Sequence, residues 1–232
     1  MSALLVLARK TISKGPNMDI DLILRVYPFF IEAAWVTIEL SVLTTILGLT
    51  CGALGAAARL SRNVVLRAIG AVYVSVFRGT PALIQLFILY FGGPQIGINL
   101  DAFDAGVIGL GVNIGAYMTE TMRGAIISVN KGQTEAARTL GMSRWETMRK
   151  VVLPQAMRMM IRPLGVNINA LIKGTALVAA ISVVELTYTA QRYIGSTYKP
   201  FEMFLLSGVL YMVIIYIVGH GISWLDRKAR IV

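Results

Sequence analysis

Five long apolar blocks limit what this chain can become: roughly residues 29–58, 66–92, 105–129, 163–184 and 204–225. Each is near or above the ~20 residues that a helix needs to cross ~30 Å of hydrocarbon. They are continuous rather than alternating at every second residue, and lipid tolerates only helices or closed barrels. The expectation is therefore an all-α, multi-pass membrane bundle of five transmembrane helices. Composition agrees: 56% of residues are hydrophobic, only 15% are charged, and the mean hydropathy is +0.69. The net charge of +10 ranks nucleic acid well below membrane as an explanation, because the basic residues fall mainly in short connectors between apolar blocks.

Those connectors also orient the chain. Lys and Arg near span ends stay on the cytoplasmic side. One side collects Arg59, Arg62, Arg67, the eight basic residues from Arg123 to Arg162, and Arg227, Lys228 and Arg230. The other holds Arg9, Lys10, Lys14, Arg25, Arg192 and Lys199. The expectation is an N-terminus outside and a cytoplasmic C-terminus. The domain reading is a periplasmic or interfacial segment over 1–28, a transmembrane domain over 29–225, and a cytoplasmic tail over 226–232. The opening MSALLVLARK is too short for a span and has the wrong order for a cleaved signal. Cys51 is the lone cysteine and His220 the lone histidine, so neither an internal disulfide nor a Cys/His metal cluster can form, and both read as packing residues. Gly48, Gly52 and Gly55 share one helix face and read as a close helix–helix contact.

Residues 129–157 form a polar, basic stretch placed on the cytoplasmic face. It reads as two short helices. Asn130 caps the first, Gly141 takes the left-handed position that ends it, Ser143 and Glu146 form a capping box opening the second, and Pro154 limits that second helix. A stiff helix-turn-helix at that face can press into a partner and pass rigid-body movement to the spans.

The residues EAARTLG at 135–141, followed by Leu153-Pro154, resemble the EAA loop of ABC-importer permeases. FRGTPALIQLFILYFGGPQ at 77–95 and NALIKGTALVAAISVVEL at 169–186 are similar to the second and fourth spans of the polar-amino-acid branch, and the likeness covers roughly residues 30–225. The resemblance implies a type I ABC-importer permease fold in a bacterial inner membrane. It implies that residues 130–154 are coupling helices docking on a cytoplasmic ATPase, with Gly132, Glu135, Ala136, Ala137, Gly141, Leu153 and Pro154 as the coupling set. It also implies a second permease copy or paralogue, a periplasmic or extracellular solute-binding protein and an amino-acid substrate. Where KDTSL is common in that branch, KGTAL stands at 173–177, which keeps basic and opine-like amino acids among the candidates. Glu135 has an alternative role, stabilising its own helix through the dipole. Arg138, Arg144, Arg149 and Lys150 can serve either a partner or topology.

No GxxxxGK[ST] loop is present, so ATP-Mg belongs to the partner subunit and this chain holds no cofactor. No nucleophile–base set can be assembled, so it is not expected to be an enzyme. Ionisable groups inside spans are costly and mark cavities or partners. Arg78, Glu120 and Lys173 are candidates for the substrate route, with Glu39 beside them. Lys173, near the middle of its block, suits either a substrate carboxylate or an ion pair with Glu39 or Glu120. At Arg78-Gly79-Thr80-Pro81 the second block is interrupted: Thr80 can cap a half-helix starting at Pro81 whose N-terminus favours an anion, or the break is a kink that fits a neighbour. Gln85, Asn113, Asn167, Asn169, Thr175 and Glu185 add polar atoms that line a path or join helices. A passive channel would explain these polar groups equally well but gives the cytoplasmic helix-turn-helix no task, and a membrane-embedded enzyme is the least favoured reading.

Overall fold

The computed structural model describes residues 18–230, and among them every regular element is helical. The reading of the first ten residues lies outside the described residues. Helix α1 (Ile20–Leu60) has 41 residues. At 1.5 Å per residue it is about 60 Å long, roughly twice the hydrocarbon thickness. It starts nine residues before the first apolar block, because Asp19 caps it by accepting the Leu22 N–H at 3.0 Å. Residues 20–28 are thus continuous with the first block. Extended Ser61 ends α1, and Asn63 caps α2 (Val64–Gly79) through the Val65 and Leu66 N–H groups.

The second block is two rods. Helices α2 and α3 (Ala82–Phe87) meet at 104°, and the chain leaves α3 through a wide turn at 88–92 and a tight one at 93–96. Thr80 precedes a proline and is extended, as such residues usually are. It does not cap α3. Its hydroxyl donates back to the Val76 carbonyl at 2.7 Å, and Pro81 stands ahead of α3 without a side-chain cap.

Helix α4 (Ala102–Ile127) is capped by Asp101, which accepts the Asp104 N–H at 2.8 Å. Then come α5 (Lys131–Thr139) and α6 (Arg144–Thr147). Pro154 does not limit the second helix of this pair. From α6 the chain passes through a wide turn at 148–152 into α7 (Leu153–Gly174) and a tight helical turn at 175–181, so residues 144–181 make one 38-residue rod. Pro154 lies in the first turn of α7, where a missing N–H is tolerated, and Pro163, expected to open the fourth block, sits inside that helix. Helices α8 (Leu186–Thr197) and α9 (Pro200–Arg230) complete the described chain, and Asp226, expected in a tail, is helical and buried.

Three rods among the described residues are long and apolar enough to cross a membrane (20–60, 144–181 and 200–229), or four with the bent α2–α3 pair. The third block forms α4, which falls short of that test. Its glycines, Asn113 and Glu120 dilute its apolar character, and it runs through the middle of the bundle with twelve buried residues.

The α1–α4 seam holds the bundle together. A methyl group added at Gly48 would come within 2.6 Å of Ile114, one at Gly52 within 2.8 Å of Met118, and one at Gly55 would strike Thr119. Positions rise together on both helices, so they run parallel. Helices α7 and α9 run antiparallel, since Arg162 meets Asp226, Gly165 faces Ile222, and Thr175 meets Tyr211. Leu40, Leu86, Met118 and Ile181 pack one core around α4, while Phe30, Ile172, Leu186 and Met203 pack a second. Large apolar side chains face outward instead, with Trp35 and Leu54 each 68% exposed, as expected of a surface that meets lipid.

Candidate functional site

The cytoplasmic elbow is assembled by local rules. Asn130 accepts the Gly132 N–H at 2.8 Å, opening α5. The helix ends where Gly141 takes φ +80 and the Met142 N–H returns to the Ala137 carbonyl at 3.1 Å, which closes the last turn. Ser143 and Glu146 then form the reciprocal capping box, with the Ser143 N–H donating to Glu146 at 2.9 Å and the Glu146 N–H to Ser143 at 3.2 Å. Hydrogen bonds from the Ser143 backbone and hydroxyl hold the Glu146 carboxyl below the usual carboxylate range, with a smaller contribution from Lys150. Ala137 is buried, whereas Gly132, Glu135, Ala136 and Gly141 are exposed, and Leu140 and Trp145 stand 84% and 70% exposed at the tip. Leu153 and Pro154 are also exposed, at the joint where the elbow enters α7.

The nine candidate route residues occupy five separate places. Thr80, Gln85 and Asn113 staple the α2–α3 break to α4. Gln85 Nε2 donates to the Phe77 carbonyl, the Thr80 carbonyl and the Thr80 hydroxyl at 3.1, 3.1 and 2.6 Å, while Asn113 Nδ2 donates to Phe77 O and Gln85 Oε1 at 2.9 and 3.0 Å. Arg78 lies over the Tyr117 ring, 5.1 Å from its centroid. Glu120 is clasped by Arg59 of α1 at 3.3 Å and Arg123 at 2.6 Å, so it is taken up by partners other than Lys173.

Thr175 and Glu185 are fully buried in a fourth place. Glu185 caps α8 by accepting the Tyr188 N–H at 2.8 Å, and Tyr211 donates to its other oxygen at 2.5 Å. Thr175 and Thr187 approach the same phenol at 3.4 and 3.3 Å. Asn169 and Lys173 form the fifth place, on the α7 wall of a groove against α9. Asn167 joins α7 to α4 by donating to Thr121 at 2.9 Å, and Glu39 lies exposed on α1.

Sequence reasoning missed three groups here. Tyr211 organises the Glu185 network, yet a tyrosine in an apolar block carries no signal of its own. Arg162 was read only as a topological charge, although it donates to buried Asp226 at 2.6 Å. An acid placed just after an apolar block was the available clue. His220 was read as packing. It is exposed, stacked on Tyr216 at 4.0 Å between ring centroids, and lines the α7–α9 groove. Cys51 does pack, its Cβ sitting where a methyl group at Gly115 would fall.

Comparison with known proteins agrees with this architecture. The chain is 37% identical over 206 residues to the glutamine transport system permease protein GlnP of Escherichia coli, covering 88% of this chain and 94% of that one. It is 34% identical over 227 residues to the nopaline transport system permease protein NocM of Agrobacterium fabrum, covering 92% and 94%. Its fold superimposes on the crystal structure of an amino acid ABC transporter with histidines, with a TM-score of 0.86 at 33% identity over 91% of this chain and 99% of that one. Residues 45–231 match the profile of a single family, and the chain belongs to it: the binding-protein-dependent transport system inner membrane components.

Proposed function

We infer that this chain is the permease subunit of an ABC importer that carries an amino acid inward across the inner membrane, a polar, basic or opine-like one. ATP-Mg is bound and hydrolysed on a separate cytoplasmic subunit. The carrying observation is the elbow at 130–154. It is folded by its own caps, bears two bare apolar side chains at its tip, and runs without a break into α7. A push on Leu140 or Trp145 would therefore tilt a rod that enters the bundle.

In this reading Gly132, Glu135, Ala136, Ala137, Gly141, Leu153 and Pro154 form the coupling surface and its hinges. The chain crosses five times, through α1, α2–α3, α4, α7 and α9, with its start outside and its end inside. Support comes from the parallel α1–α4 pair, the antiparallel α7–α9 pair and the bias of basic residues. The partners are a second permease copy or paralogue, ABC ATPase subunits and an external solute-binding protein. That relatives carry glutamine and nopaline in their names supports the substrate class.

The test is ATP-dependent uptake of amino acids in proteoliposomes holding the assembled complex. Glu135→Ala and Gly141→Leu are expected to lower uptake tenfold or more while the chain stays inserted. Unchanged uptake in both, or labelling of a cysteine at position 134 from the external face, rejects the coupling role.

A further inference from the structure

Helices α7 and α9 leave a groove along one side, in two stretches. One, of about 510 Å³, is lined by Arg162, Asn169, Tyr216 and His220, among others. The other, of about 470 Å³, is lined by Lys173, Ala176, Tyr211 and Met212, among others. On α7 the lining positions are 162, 166, 169, 173 and 176, steps of three and four that keep them on one face. The two stretches are therefore successive parts of one groove.

Two groups in it are unanswered. Asn169 Oδ1 is shielded from solvent and has no hydrogen-bond partner, so the fold bears its desolvation until a donor arrives. One turn further, Lys173 makes no ion pair among the described residues, whereas Glu120, Arg162 and Glu185 all have polar partners. A lone ammonium inside a span favours an anion. Positions four apart on a helix set their Cβ atoms about 5–6 Å apart. An acceptor and a cation at that spacing complement the ammonium and carboxylate of a free α-amino acid.

We propose that Asn169 and Lys173 form a clamp for the zwitterionic head of the transported amino acid, Asn169 Oδ1 accepting from the α-ammonium and Lys173 Nζ pairing with the α-carboxylate. This rests on the amino-acid importer reading above. The neighbouring stretch offers the side chain the stacked Tyr216 and His220 rings. Its carboxylate, Asp226, is covered by Arg162 and cannot select for a basic side chain. The clamp thus reads the head shared by all α-amino acids and leaves choice among side chains to another component.

The experiment uses the complete permease–ATPase complex in nanodiscs without binding protein, probed with radiolabelled L-glutamine at up to millimolar concentration. Saturable binding is expected, displaced by L-arginine but not by N-acetyl-L-glutamine or L-glutamine methyl ester. Asn169→Leu and Lys173→Met are each expected to weaken it at least tenfold, while Lys173→Arg keeps most of it and serves as the folded control. Binding within twofold of the unaltered complex in both variants, no saturable binding by the unaltered complex, or displacement by the N-acetyl derivative overturns the clamp. So does separation of either variant into single permease copies, which would assign the groove to a second chain. Uptake with ATP and binding protein is measured in parallel. Its absence from the unaltered complex defeats the importer reading, while its presence with unchanged KM in both variants defeats the clamp alone.

Discussion

The α1–α4 seam and the α7–α9 groove are helix pairs within one bundle, built on opposite rules. At the seam, glycines on both helices bring the backbones close: Gly111 leaves room for Leu47 and Gly115 for Cys51, just as Gly48, Gly52 and Gly55 do in the other direction. Dispersion contacts between closely approaching backbones hold such a pair in lipid. Along the groove, Gly208, Gly219 and Gly221 of α9 meet nothing within 4 Å, and polar side chains line the gap. The contrast shows how one apolar chain keeps a fixed frame and a wettable surface together. Small residues are spent on contact in one place and on space in another.

The sharpest way to break the comparison is to fill both places. Gly52→Leu is expected to destabilise the chain by about 1–3 kcal/mol or more, because the added Cβ already sits 2.8 Å from Met118, and a thermal scan in detergent reads the loss. Gly219→Ala is expected to be neutral, or stabilising by up to ~1 kcal/mol, since Ala is the better helix former and its methyl group meets open space. Equal losses in the two would show that the groove is a packed seam.

Asn113→Leu extends the test to the α2–α3 break. It strands the Phe77 carbonyl and Gln85 Oε1, and a cost of about 1–3 kcal/mol is expected, with less when Gln85→Leu is already present. The elbow comes next: Gly141→Ala is expected to cost about 1–2 kcal/mol from the left-handed backbone alone, read as faster amide exchange in α5 and α6.

The smallest effect is a pH dependence. The Glu146 carboxyl titrates below its ordinary range, so its support of the capping box is complete above the ordinary carboxylate value and is lost as pH falls through the lowered one. Exchange at the Ser143 amide, which donates to Glu146, should rise in that acidic window and become insensitive to it in Glu146→Gln.

Much of the frame was legible without coordinates. The helical class follows from apolar length, the Gly48–Gly52–Gly55 face from spacing, and the elbow's caps from residues acting within four positions of themselves. The errors are equally physical. Pro154 and Pro163 read as helix ends because a missing donor usually breaks a helix, yet a wide turn at 148–152 opens the ladder ahead of the first and the bundle tolerates the second. The route residues read as one path because sequence shows polarity without direction. Gln85 and Asn113 turn toward each other, Glu120 toward two arginines, and Glu185 toward Tyr211.

The sequence by itself determined that this chain lives in a membrane as helices, and where a polar elbow interrupts them, because transfer free energy and capping act locally. Only the tertiary structure decided which buried polar atoms are answered and which are left waiting. Pairing depends on contacts up to 183 positions apart, as between Asp19 and Glu202, and no local pattern encodes which partner a side chain will meet.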